Sequence, residues 1–217
     1  MKTLVLKINP QNPEKEKIKI AARILKKGGL VAFPTDTVYG LAADAKNMQA
    51  VKKIYKVKKR PLSNPLPILI AEKNDLKKYT RGVSAKIKKL TDKFWPGPLT
   101  IVLRKKKIIS NAVTAGKLSV GVRVPANPVT IDLIRALGRP LAATSANIST
   151  KQSPTTFKAV QGDMTNKISL ILDGEKTKLG RESTVLDCTT SPPTLIRPGA
   201  ISQKTIEKLI GKIKTGR

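Results

Sequence analysis

The chain has 217 residues, with 43 Lys and Arg against 14 acidic residues, no histidine and a formal charge of +29. Without imidazole there is no Ser-His-Asp triad, no Cys-His pair and no zinc site through His, and one cysteine, Cys188, supplies neither a thiolate cage nor an intramolecular disulfide. The charge attracts polyanions, whether RNA, phosphate-bearing surfaces or nucleotides, but a generally lysine-rich exterior gives the same number.

Apolar residues make up 40% of the chain, mostly aliphatic, which is enough for one sizeable core and one domain over residues 1–217. The opening MKTLVLKINP lacks the apolar run of a signal peptide, and Thr3 to Ile8 reads as a first strand. No segment is long and apolar enough to span a membrane, so a cytoplasmic protein is expected. Ile18, Ala21, Ala22 and Leu25 recur at helical spacing between Pro13 and Lys27, and Gly28-Gly29 closes that helix. Leu30 to Phe33 is a buried strand running into Pro34, and Asn47 to Val57 a second helix. Leu66 to Ala71 reads as a strand, followed by one or two helices between Leu76 and Phe94. After the turn Trp95-Pro96-Gly97-Pro98 come strands at Leu99 to Leu103 and Ser119 to Val124. Val129 to Leu137 is a helix stopped by Gly138, and Ala142 to Thr144 leads into Ser145. Strands at Ile168 to Leu172, Thr184 to Asp187 and Leu195 to Arg197 precede a last helix at Ile206 to Ile213 and a frayed tail from Lys212 to Arg217. Strands outnumber helices without βαβ alternation, which predicts a mixed, strongly twisted α/β sheet over a doubly wound one.

GxxxxGK[ST] is absent, and Gly28-Gly29 precedes a strand, so no usual phosphate loop is present. In Phe33-Pro34-Thr35-Asp36-Thr37-Val38-Tyr39-Gly40, a proline-fixed corner can aim Thr35, Thr37 and Tyr39 into a cavity mouth, or can be a cap or tight turn. In Lys58-Lys59-Arg60-Pro61-Leu62-Ser63-Asn64, Pro61 disfavours helix at Arg60, so Lys58 and Arg60 can point the same way on extended chain toward phosphate or carboxylate. A solvated charge run is the alternative. Thr144-Ser145-Ala146-Asn147-Ile148-Ser149 suits phosphate oxygens or an Asx turn. Arg123, flanked by valines, needs an anion or a buried carboxylate unless it lies at an exposed edge, and Arg197 repeats the arrangement. Together these stretches describe a cavity of Lys, Arg, Ser, Thr and Asn with no general base of tuned pKa, suited to nucleotidyl or phosphoryl transfer by positioning and charge neutralisation. Cys188, in TVLDCTT, reads as a buried, inert thiol.

In chain order FPTDTVYGL, KKRPLSNPL, FWPGPLT, VGVRVP, TSANIS, RESTVLD and IRPG resemble the YrdC-like family over about residues 15–200. The resemblance implies an open, strongly twisted mixed sheet with flanking helices around a large basic cavity. It also implies an activity: condensation of L-threonine, bicarbonate or CO2, and ATP into L-threonylcarbamoyladenylate and pyrophosphate. Other proteins then pass the group to adenosine 37 of tRNA. By that resemblance Lys58, Arg60, Ser145 and Asn147 are catalytic, with Lys58 screening charge at the α-phosphate. Arg60, Asn64, Ser119, Ser145, Ser153 and Arg197 face ATP or the adenylate, and Mg²⁺ accompanies the pyrophosphate. Thr35, Thr37, Arg123, Ala143 and Ser183 surround threonine, with Arg123 as carboxylate clamp. The chain departs from the family's pattern at Leu69 and Asn127, where members often carry histidine, and at Thr150, where glycine is common. Nothing resembling the longer members' C-terminal domain is expected. The alternative readings are a module contacting double-stranded RNA, tRNA or the ribosome without this catalysis, and related carbamoyl-adenylate chemistry on another substrate.

Overall fold

The computed structural model describes residues 2–216. Its strands are β1 (Leu4–Lys7), β2 (Val31–Phe33), β3 (Gly40–Asp44), β4 (Ile68–Leu69), β5 (Thr80–Arg81), β6 (Leu99–Lys105), β7 (Ser119–Arg123), β8 (Leu141–Ser145), β9 (Leu170–Asp173), β10 (Thr184–Asp187), β11 (Thr194–Arg197) and β12 (Lys214–Thr215). They form one mixed sheet in the order β1-β9-β2-β3-β8-β4-β7-β6-β10-β11-β12, with β5 pairing β6. The α-helices are α1 (Lys15–Lys26), α2 (Met48–Lys58), α3 (Leu76–Tyr79), α4 (Ala85–Phe94), α5 (Asn111–Thr114), α6 (Pro128–Leu137), α7 (Phe157–Met164) and α8 (Gln203–Ile210).

Two apolar clusters show how the layers are built. In the larger, Ile68, Ile101, Val122, Ala142 and Leu186 stand on one sheet face and pack with residues of α2, α4, α7 and α8, including Ile54, Leu90, Met164 and Ile206. In the second, Val31, Phe33, Ala42, Leu141, Leu170 and Leu172 occupy the opposite face beneath Ile18, Leu25, Leu133 and Leu137 of α1 and α6. Those two helices pack over β9, β2, β3 and β8 and reach Leu69 of β4. Over β7, β6 and β10 the face borders a cavity and forms most of its floor. Strand alternation makes this possible: Val120 and Val122 turn into the core, while Ser119, Gly121 and Arg123 turn the other way.

Most anticipated elements are present, and the differences have local causes. The last helix ends at Ile210 because Gly211 takes positive φ, so Ile213 is buried from the segment beyond it. Lys214–Thr215 pairs parallel to β11 where a frayed tail was expected, and Arg217 lies outside the described residues. The strand at β3 and the short helices α5 and α7 were not anticipated. β3 is small and featureless in sequence, and it is held as a strand by antiparallel pairing on both sides.

Candidate active site

The open part of the sheet face bounds a cavity of about 600 Å³. Its floor comes from Thr100 and Val102 of β6, Gly121 and Arg123 of β7, and Leu69 of β4, with the ends of β3 and β8 meeting where Gly40 pairs with Ser145. Lys58, Arg60, Asn64, Ser119, Arg123, Ala143 and Ser145, with Asn147, Ser153, Ser183, Arg197, Thr35 and Thr37, all line this one space. Segments scattered from residue 35 to residue 197 therefore converge.

Lys58 reaches the cavity differently from the extended arrangement expected of it. It is the last residue of α2, and Lys59 takes left-handed backbone at φ 51°, which turns the chain so that Arg60 faces the same space. Lys58 is 1% exposed, and its ammonium donates to Ser145 O at 2.5 Å, Asn147 O at 2.5 Å and Asn147 Oδ1 at 3.1 Å. All three N–H protons are thereby used. Ser149 N donates back to Lys58 O, and Asn147 Nδ2 to Lys151 O, so the 145–151 loop is shaped around one cation. Burial, reinforced by the Arg60 charge, pushes Lys58 down to about 8. A group of shifted pKa thus stands in a site expected to have none, while three carbonyl acceptors favour its charged form. Arg60 is held by Asn64 O and Pro65 O, at 3.1 and 3.0 Å.

Arg123 is 6% exposed, which excludes the edge position. Its guanidinium donates to Gly97 O (2.9 Å), Thr37 Oγ1 (2.9 Å) and Asp36 Oδ1 (2.5 Å). Burial lowers its pKa and the Asp36 charge opposes that. Those hydrogen bonds use three of its five N–H groups. Thr35 Oγ1 lies 2.9 Å from Thr37 Oγ1, accepts from Thr37 N and donates to Val38 O, so the corner is both a hydroxyl-stabilised turn and a cavity wall. Tyr39 borders the cavity as well, and its hydroxyl donates to Glu175 O and accepts from Gly174 N, which ties down a distant loop.

Arg197 donates to Ser183 O and Oγ, and Ser183 Oγ lies 2.9 Å from Thr100 Oγ1. A Cβ at Gly199 would fall 2.4 Å from Ser183 C, so only glycine permits β11 to close on this segment. Of the departures from the family's pattern, Leu69 lies on the cavity floor. Asn127 caps α6 by accepting from Thr130 N, and Thr150 is exposed. Sequence reasoning did not single out Asp36 or Glu182. A carboxylate partner for Arg123 was anticipated, and Asp36 stands between the two selected threonines, but a pairing across 87 positions is written nowhere locally. The Cys188 thiol is pushed up to about 12 by burial, as an inert cysteine would be.

Fold and site define a class: a mixed-sheet α/β protein whose uncovered sheet face carries one cavity lined with cations and small hydroxyl side chains. The model of the telomere recombination family, Sua5_yciO_yrdC, matches residues 23–199, and the chain belongs to that family. It is 45% identical over 212 residues to the threonylcarbamoyl-AMP synthase of Pyrococcus abyssi, covering 98% of this chain but 62% of the relative. To the putative threonylcarbamoyl-AMP synthase of Methanocaldococcus jannaschii it is 37% identical over 93% of this chain and 95% of the relative. Among solved structures, P. abyssi Sua5 complexed with L-threonine superposes with a TM-score of 0.96 at 44% identity, over 99% of this chain and 63% of that one. Against the P. abyssi protein the chain therefore spans less than two thirds of the relative's length. No helix among the described residues is long and apolar enough to cross a membrane.

Proposed function

We propose that this chain works in the cytoplasm as a threonylcarbamoyl-AMP synthase, a nucleotidyl-transferring enzyme that makes L-threonylcarbamoyladenylate and pyrophosphate from L-threonine, bicarbonate or CO2, and ATP. The observation that carries the reading is the convergence of thirteen residues chosen from sequence on one cavity, among them the buried Arg123 and the cations Lys58, Arg60 and Arg197. Membership of the family and the relatives' names support it.

Arg123, with Thr37, Thr35, Ser183 and Ala143 around it, takes the threonine carboxylate. Arg60, Asn64, Ser119, Ser145, Ser153 and Arg197 take the nucleotide. The neutral threonine amine forms a bond to the CO2 carbon, and a carbamate oxygen then attacks the α-phosphorus as pyrophosphate leaves. Both nucleophiles belong to substrates, so the absence of histidine costs nothing. Lys58, its protons all engaged, acts through its field and by holding Ser145 and Asn147 in place. Mg²⁺ is part of the proposal only as a companion of the triphosphate. Among the described residues no cluster of three His, Cys, Asp or Glu side chains could hold it independently, and no step is assigned to it. The product is proposed to pass to proteins that modify tRNA.

The test is pyrophosphate release from ATP with and without L-threonine and bicarbonate. Release that requires both is expected, and release indifferent to threonine rejects the assignment. Lys58→Ala and Arg60→Ala should each lower the rate at least about tenfold, since removing one charge-stabilising contact costs about 1.5–3 kcal/mol.

A second reading, an RNA-contacting surface, is favoured by one observation. Lys86, Lys89 and Lys93 form a stripe on α4, Lys204 and Lys208 one on α8, and the two helices pack together. Binding of double-stranded RNA that weakens steeply with salt and ignores Lys58 substitutions would establish it as separate from the cavity.

A further inference from the structure

Two arginines of the cavity lining, Arg123 and Arg197, pair with carboxylates in opposite ways. Asp36–Arg123 is buried, with side chains 3% and 7% exposed, and is a fixed part of the wall. Glu182–Arg197 is open, with side chains 33% and 42% exposed. We propose that Glu182 is an internal anion that holds the phosphate-binding groups in the free protein and yields them to the phosphates of an incoming nucleotide, thereby setting how tightly a polyphosphate is held. This rests on the reading that the cavity takes ATP.

The geometry carries the argument. Glu182 Oε1 accepts from Ser153 Oγ at 2.5 Å, and Oε2 pairs with Arg197 Nη1 at 2.6 Å. Both partners are among the residues expected to face the nucleotide, so one carboxylate occupies two groups a phosphate would use. Lys58 and Arg60 feel the same carboxylate, which places it within the field of these cations. Its backbone is pinned: Glu182 O accepts from Ala200 N at 2.9 Å, and Gly199 approaches so closely that a Cβ there would come within 2.6 Å of that oxygen. The side chain therefore hangs from a fixed point on the cavity wall. Asp187, also on the lining, is taken up by Thr189 N and Oγ1 and is not placed to serve in the same way. A half-exposed ion pair is weak and exchanges readily, whereas a triphosphate brings several charges and more acceptors to the same cations. Glu182 must then give up Arg197 and Ser153, and its charge opposes the phosphates that replace it.

Calorimetric titration of the full chain with ATP, pyrophosphate and adenosine tests this. Glu182→Gln keeps the shape and removes the charge. Affinity for ATP and pyrophosphate should rise about tenfold, while adenosine, which brings no phosphate, binds as before. Glu182→Asp, too short to span both partners, should move the same way by a smaller factor, and product inhibition by pyrophosphate should strengthen in both. Unchanged or weaker pyrophosphate binding in a variant that still binds adenosine overturns the inference and leaves the proposed function standing. A wild-type protein that binds neither ATP nor pyrophosphate removes both.

Discussion

One face of the sheet is built in two ways. Over β9, β2, β3 and β8 it presents Val31, Phe33, Ala42, Leu141, Leu170 and Leu172 to α1 and α6. Farther along the same face β7, β6 and β10 border the cavity, and the outward positions there include Thr100, Ser119, Gly121 and Arg123. The pleat is the same in both regions, so a position's character follows from what covers it. A side chain under a helix must be apolar or fully paired, while one on the bare floor is free to meet a ligand. Arg123 belongs to both regimes: it is as buried as the core, paired like a structural group, and still bordered by the cavity.

That comparison can be broken or sharpened by experiment. The largest effect is expected at Arg123. Arg123→Ala leaves Asp36 as an unpaired buried carboxylate whose Oδ2 already has no hydrogen-bond partner, which should destabilise the fold by about 3–5 kcal/mol in denaturant unfolding as well as abolish threonine dependence. Next, Leu133→Ala in α6, above the covered half, should cost about 2–5 kcal/mol while leaving nucleotide affinity intact at low temperature. Val102→Ala on the uncovered floor should cost below about 1 kcal/mol in the same assay.

A pH effect of intermediate size is expected at Lys58. The folded protein loses this proton near 8 and an unfolded lysine near 10.5, so between those values the unfolded chain binds more protons and stability rises with pH. Nucleotide affinity should fall across the same window, because a neutral amine has two hydrogens for three acceptors and no charge. Unfolding and ATP titrations over that range check both signs, and Lys58→Met should remove both trends. The smallest effect is at Cys188, whose thiol near 12 should resist alkylation at neutral pH in the native protein and react only on unfolding.

Much of this was written locally. Ser119-Val120-Gly121-Val122-Arg123 declares a strand with one apolar face, and Gly138 ends α6 in the left-handed conformation that its position requires. Lys58 and Arg60 were legible as a cationic pair aimed one way, though a helix end and a left-handed Lys59 bring that about where extended chain was expected. Tyr39 was legible as a residue of the cavity, but the partners of its hydroxyl, Gly174 and Glu175, were not, because they lie some 135 positions away.

By itself, then, the sequence determined the chemistry on offer: cations, small hydroxyls and amides, no imidazole, and a strand pattern that calls for a mixed sheet. Periodicity and side-chain type are properties of neighbours along the chain, and neighbours suffice to read them. Only the tertiary structure decided that the cluster under α1 and α6 leaves β7, β6 and β10 to the cavity, that Asp36 answers Arg123, and that Glu182 stands among the cations. Each of those depends on which distant segments meet, a matter settled by the packing of the whole core.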